Sequence, residues 1–265
     1  MSLAENLAIV FVAGLVTALA TGIGALPFLY FDTISDRRNV VLWGIASGVM
    51  VAASTFGLLD EGLAAGTPLE LGAGIVAGVV LVVVARRALS GADVGPRAYA
   101  EADRRKLALI LGVLTVHSFP EGVAIGVSFA DLGLEGGLPL LGITVPLLAL
   151  FMTVAISIHN VPEGTAIAIP LRSMGIADWR LVWWAIFSSL PQPVGAVLAF
   201  AFVRLARDLL AVGFGFAAGA MIYLVASEFV PEAREIGEGL PGGGLRELAG
   251  GFALGVLVMV PLLAI

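Results

Sequence analysis

The sequence predicts an all-α integral membrane protein with eight spanning helices, and three observations predict it. Apolar residues fill 59% of the 265 positions and charged residues only 13%, with a mean hydropathy of +1.04; soluble domains average roughly 45–50% and about 25%. The apolar residues gather in uncharged runs as long as a helix needs to cross a hydrocarbon core, about 20 residues for about 30 Å. These runs are continuous and do not alternate with period two, so they read as helices and not as barrel strands.

The same composition excludes a soluble globule, a disordered chain and a coiled coil. A net charge of -6 with no basic face excludes a nucleic-acid binder. The absence of cysteine removes a disulfide framework, a thiolate zinc site and a cysteine nucleophile.

The first span is predicted over residues 7–31 and the second over 39–59, neither with an Asp, Glu, Lys or Arg. The third, 69–87, is shorter and reaches the interface if Arg86 and Arg87 snorkel. The fourth, 107–130, and the fifth, 144–169, are apolar except for one His and one Glu each. The sixth covers 181–203, the seventh 209–230 and the eighth 247–265, so residues 1–265 read as one transmembrane domain. Glycine recurs inside the spans, as at Gly44 and Gly48 or Gly74 and Gly78, where small residues let helices approach closely in lipid. The start MSLAENLAIV lacks a positive region, so no cleaved leader is expected, and no polar spacer precedes the last apolar run as a lipid-anchor signal requires.

All the basic residues except Arg204 and Arg207 fall in the first, third, fifth and seventh loops. The positive-inside rule then places those loops in the cytoplasm and both termini outside.

An ionisable side chain in mid-membrane costs about 2.5–3.5 kcal/mol on insertion scales and points to function. Four such residues lie deep in spans, within HSFPEG at 117–122 and HNVPEG at 159–164, and these hold the only two histidines of the chain. His at i and Glu at i+4 share one helix face, so each helix presents an imidazole and a carboxylate together. Pro120 and Pro162 displace the carbonyls of Val116 and Ile158 and predict a kink in helices 4 and 5. Gly122 and Gly164 clear space beside each Glu. If the two helices face each other, His117, Glu121, His159 and Glu163 form a nitrogen and oxygen set suited to Zn2+, Fe2+ or Mn2+, while the missing thiols argue against Cu(I). The plainer alternative is a pair of buried His–Glu hydrogen bonds that pin the helices, and a proton relay is a further rival.

HSFPEG and HNVPEG resemble the signature of the ZIP (Zrt/Irt-like) metal transporters, closest to their bacterial, GufA-like branch. GAMIYLVASEFVPEA at 219–233 and ASGVM at 46–50 are similar to that branch as well. The resemblance covers nearly the whole chain and implies a ZIP-type bundle in the cell membrane, a homodimer that imports Zn2+, with Cd2+, Fe2+ or Mn2+ as related cargo and no permanent cofactor. It makes His117, Glu121, His159 and Glu163 the transport-site ligands, with Ser118, Asn160 and Gln192 at positions that help to hold a second ion and Met50 at a thioether position. Gln192 stands where the family commonly has Glu, and Ser118 where it commonly has Asn, which favours one main site with Gln192 as a weak ligand.

The third loop carries no His, so metal capture there is not expected. Glu228 and Glu232 are candidates for the cytoplasmic mouth, or for plain interface residues beside Arg234; Asp60, Glu61 and Glu70 border the outer face. No GxxxxGK[ST] motif supports nucleotide-driven pumping. The expected function is therefore a metal transporter and not an enzyme. The alternatives are a proton-coupled carrier of another substrate and an intramembrane metallohydrolase, the latter weakened by the absence of HExxH.

Overall fold

The computed structural model describes residues 2–31, 33–89, 117–132, 137–140, 142–173 and 175–263. Its helices are α1 (Leu3–Ala25), α2 (Asp36–Ala52), α3 (Asp60–Ala65), α4 (Pro68–Leu89), α5 (117–128), α6 (Leu147–Ser173), α7 (Asp178–Ser189), α8 (Pro191–Leu205), α9 (Leu210–Leu224), α10 (Val230–Ile236) and α11 (Leu245–Leu263). A π-helical stretch, Ala53–Leu59, joins α2 to α3, and a second, Val225–Phe229, joins α9 to α10. Among the described residues six helical segments are long and apolar enough to cross a bilayer: Leu3–Leu29, Asp36–Ala65, Pro68–Ala88, Leu147–Ile169, Asp178–Leu205 and Arg207–Gly239. The chain is a mostly helical membrane protein. Residues 107–116 of the predicted fourth span and the third loop from 90 to 106 lie outside the described residues.

Local chemistry sets the helix ends. The Ser2 hydroxyl accepts from the Glu5 N–H at 3.3 Å and the Glu5 carboxylate accepts from the Ser2 N–H at 2.7 Å. Thr67 and Glu70 build the same reciprocal cap at α4, with 3.3 and 2.7 Å. Each cap satisfies two backbone donors that a helix start leaves open. Pro191 interrupts the sixth span, so α7 ends at Ser189 and α8 begins with the proline at its first position. Pro146 likewise precedes α6, and the β-branched run before it pairs as a short antiparallel hairpin, β1 (Leu138–Leu140) with β2 (Ile143–Val145), Leu138 opposite Val145.

Arg204 and Arg207, the two basic residues outside the arginine-rich loops, have a structural task. Arg204 donates to the Leu132 carbonyl at 3.3 Å and Arg207 to the Ala130 carbonyl at 3.0 Å. They place positive charge on open carbonyls just beyond α5, where the helix dipole favours it.

Packing divides the helices into two groups. In the first, α1 lies against α6, α7 and α8, and α5 lies against α8. Gly24 of α1 and Gly164 of α6 face each other: a Cβ on Gly164 would land on the Thr21 carbonyl, and one on Gly24 on the Val161 carbonyl. Buried hydroxyls add direct cross-links, Thr165 donating to the Gly24 carbonyl at 3.1 Å and Thr21 meeting Ser189 at 2.8 Å. In the second group α2 packs on α11 through Gly44, Gly48, Gly251 and Gly255, and α4 packs on α9 through Gly74, Gly78, Gly215 and Gly219. Between the groups side chains meet instead of backbones, as where Phe151 of α6 lies beside Gly57 in the first π-helical stretch.

Candidate metal centre

The glycines beside the two motif glutamates let neighbouring helices come close enough to supply polar atoms. Gly122 lies against the Gln192 backbone at the start of α8, and Gly164 against α1. Gln192 and Thr17 are thereby carried to the faces of α5 and α6 that bear the motifs. Glu121, His159, Asn160, Glu163 and Gln192 are all buried, with His159 at 0%, Glu121 at 1% and Glu163 at 3% exposure.

Glu121, His159 and Glu163 each offer a ligand atom within 4.8 Å of the others, the one such trio among the described residues. His159 Nε2 lies 3.1 Å from Glu121 Oε1. His159 Nδ1 and Glu163 Oε2 are buried and have no hydrogen-bond partner. Buried polar atoms are seldom left so, because each loses its hydration with nothing in return. In either neutral tautomer one ring nitrogen keeps a lone pair able to bind a metal. Ligand atoms around tetrahedral Zn2+ stand roughly 3.3 Å apart, so atoms that all lie within 4.8 Å of one another need to close by at most about 1.5 Å to hold an ion.

The amides around the trio are oriented in a chain. The Thr17 carbonyl can only accept, and it takes the Asn160 amide at 2.6 Å. Asn160 Nδ2 then also faces Gln192 Oε1 at 3.0 Å, and the Thr17 hydroxyl reaches the same oxygen at 2.7 Å. The Gln192 nitrogen is thereby turned to Glu121 Oε2, to which it donates at 2.5 Å. Gln192 meets the trio with its N–H while its oxygen is engaged elsewhere. A glutamate at this position would set a third carboxylate against Glu121.

His117 is placed differently from the other motif residues. Its Nε2 lies 3.3 Å from Glu228 Oε1, and among the described residues it is not part of the trio. Ser118 is buried beside it on α5, and Met50 is buried in the apolar core of α2. Phe229, next to Glu228, stacks on the His159 ring with centroids 5.1 Å apart and planes at 19°, and tilts against Trp43 at 4.9 Å. This column joins the two helix groups and sets the plane of the imidazole.

Residues 95–262 match the family model described as "ZIP Zinc transporter". The chain belongs to the ZIP zinc transporter family. It is 31% identical over 261 residues to the zinc transporter GufA of Myxococcus xanthus, covering 94% of this chain and 96% of that one. It is 35% identical over 233 residues to the zinc transporter ZIPB of Bordetella bronchiseptica, covering 82% and 70%. A longer Arabidopsis thaliana relative is 36% identical over 221 residues, and there the match covers 83% of this chain and 33% of the relative's length. Members of the ZIP family are transporters and not enzymes, which sets the metallohydrolase reading aside.

Within the ZIP motifs the structure brings together Glu121, His159 and Glu163, with Asn160 and Gln192 next to them. The sequence reading missed Thr17, Phe229 and the His117–Glu228 contact. Thr17 is one threonine among several in an apolar span and carried no signal. Glu228 did carry one, as an acid at the end of the seventh span.

Proposed function

We propose that this ZIP protein imports Zn2+, or a related divalent cation such as Cd2+, Fe2+ or Mn2+, across the cell membrane into the cytoplasm. The observation that carries the proposal is the buried trio of Glu121, His159 and Glu163 with two unpartnered ligand atoms. Two ionised carboxylates side by side in an apolar bundle repel each other, and a dication between them offsets both charges. Glu121, His159 and Glu163 are the ligands in this reading, and Gln192 and Asn160 hold Glu121 in place. His117 takes the ion as it moves toward Glu228, and Ser118 and Met50 lend weaker donors on the way.

The wider reading has eight spans, both termini outside, bends at Pro120 and Pro162, and two chains side by side, as the family resemblance implies. The packing supports an alternating-access reading. The group holding the trio is knitted backbone to backbone and moves as one body past the other group, across an interface made of side chains.

The test uses purified protein in vesicles containing a zinc-sensitive dye. Zn2+ added outside should enter, and His159→Ala or Glu163→Gln should abolish the signal. Uptake that survives both substitutions rejects the assigned ligands.

A further inference from the structure

Glu228 Oε1 lies between two nitrogen donors from different helices. Nε of Arg86, at the end of α4, is 3.1 Å away and Nε2 of His117 is 3.3 Å away. Arg86 also donates through Nη1 to the Ser227 carbonyl at 3.1 Å. Its guanidinium thus grips two consecutive residues of the second π-helical stretch. The Arg86 side chain is 45% exposed and that of Glu228 only 16%, so charge reaches inward from the wet end of α4 to a mostly covered carboxylate. An arginine that merely anchored a helix end would extend its head into water. This one lies along the protein with the two-point hold that a planar fork provides and an ammonium does not.

Its position relative to the trio gives the contact meaning. Glu121 and His117 share one face of α5, a turn apart, and His117 touches Glu228. Glu228 is therefore the next carboxylate beyond the trio, at the arginine-rich end of the bundle. A dication arriving there meets a carboxylate whose Oε1 Arg86 already holds, and approaches it against the positive charge of the guanidinium.

We propose that Arg86 is a built-in counter-ion that competes with the cation for Glu228. While it is seated, the pair His117 and Glu228 does not bind metal and the ion stays on the trio. Once it swings into the aqueous phase, Glu228 and His117 become a second site that draws the ion off. The proposal rests on the transport reading of the trio, and its test separates the two.

The full-length protein, purified in detergent, is titrated with Zn2+ by calorimetry. Wild type should bind one ion per chain. Arg86→Gln should bind a second, weaker ion, and Arg86→Gln combined with Glu228→Gln should lose it again. Arg86→Lys, which keeps a cation near Glu228, should retain the wild-type count. Arg86→Met preserves the packing of the stem and replaces Arg86→Gln should that variant not fold. Equal stoichiometry and affinity in wild type and the folded neutral variants overturns the counter-ion role. If wild type binds nothing, the trio reading fails, while a second-site ion gained in Arg86→Gln and lost with Glu228→Gln still establishes the role of Arg86.

Discussion

The side-chain amide of Gln192 donates to the Glu121 carboxylate at 2.5 Å, and its own oxygen is held by Asn160 and Thr17. Gln192→Glu would replace that donor by an acid. With Zn2+ absent the variant should lose about 1–3 kcal/mol of stability from carboxylate repulsion and an unsatisfied Asn160. With Zn2+ in excess it should bind two ions where wild type binds one. Calorimetric titration checks the count, and an unchanged stoichiometry would show that Gln192 does not limit the number of ions.

The two motif histidines should behave differently. His159 belongs to the trio and His117 contacts Glu228. His159→Ala should weaken equilibrium Zn2+ binding by about 10–100-fold or more, in line with the loss of a ligand or its supporting contact. His117→Ala should leave affinity within a few-fold of wild type and slow uptake instead. Equal losses of affinity in both would place the histidines in one coordination sphere.

Glu163 Oε2 is buried without a partner. Glu163→Gln puts a neutral amide with two donors beside the Glu121 carboxylate and should stabilise the metal-free protein by about 1 kcal/mol, read as a higher melting temperature. It should also remove the stabilisation that Zn2+ confers on wild type, which at a hundredfold excess over Kd amounts to about 2.7 kcal/mol. Thermal melts with and without Zn2+ read both effects in one experiment.

Proton competition has a definite sign. Metal ligation requires neutral imidazole and ionised carboxylates, so binding at the trio displaces any protons these groups hold. Zn2+ affinity should fall as pH is lowered from about 8 to about 5, by about tenfold per unit for each proton displaced. Binding isotherms across that range provide the check, and a flat profile would argue against imidazole ligation.

Two glycine substitutions separate packing from helix propensity. Gly164→Ala drives a Cβ into the Thr21 carbonyl and forces α1 away from α6. It should cost at least about 1–3 kcal/mol and reduce both folding yield and zinc binding. Gly72, on α4, has nothing within 4 Å of the corresponding position. Gly72→Ala should be neutral or stabilise by about 0.5–1 kcal/mol. Melting temperatures of the purified variants distinguish the two.

Much of this was legible in the sequence because the bilayer imposes simple rules. Uncharged runs revealed the helical membrane class, and the two histidines in matching frames exposed the motifs on which Glu121, His159 and Glu163 meet. What stayed hidden depends on distant partners. The turn of His117 toward Glu228 requires knowing that α5 packs beside the second π-helical stretch, and π-helical turns have no pattern in the residues that form them. Arg86 read as a snorkelling residue because its partner lies on another helix. The orientation of Gln192 came from Thr17 and Asn160, since an amide by itself favours neither end.

The seam between the two helix groups has a consequence for the surrounding lipid. If the group held together through Gly24 and Gly164 moves as one body, it carries its outer wall along, and acyl chains on that side then stretch or thin with each movement. Such mismatch costs fractions of a kcal/mol per ångström. On the transport reading proposed above, turnover should depend on membrane thickness, fastest where the hydrocarbon slab suits both end positions equally.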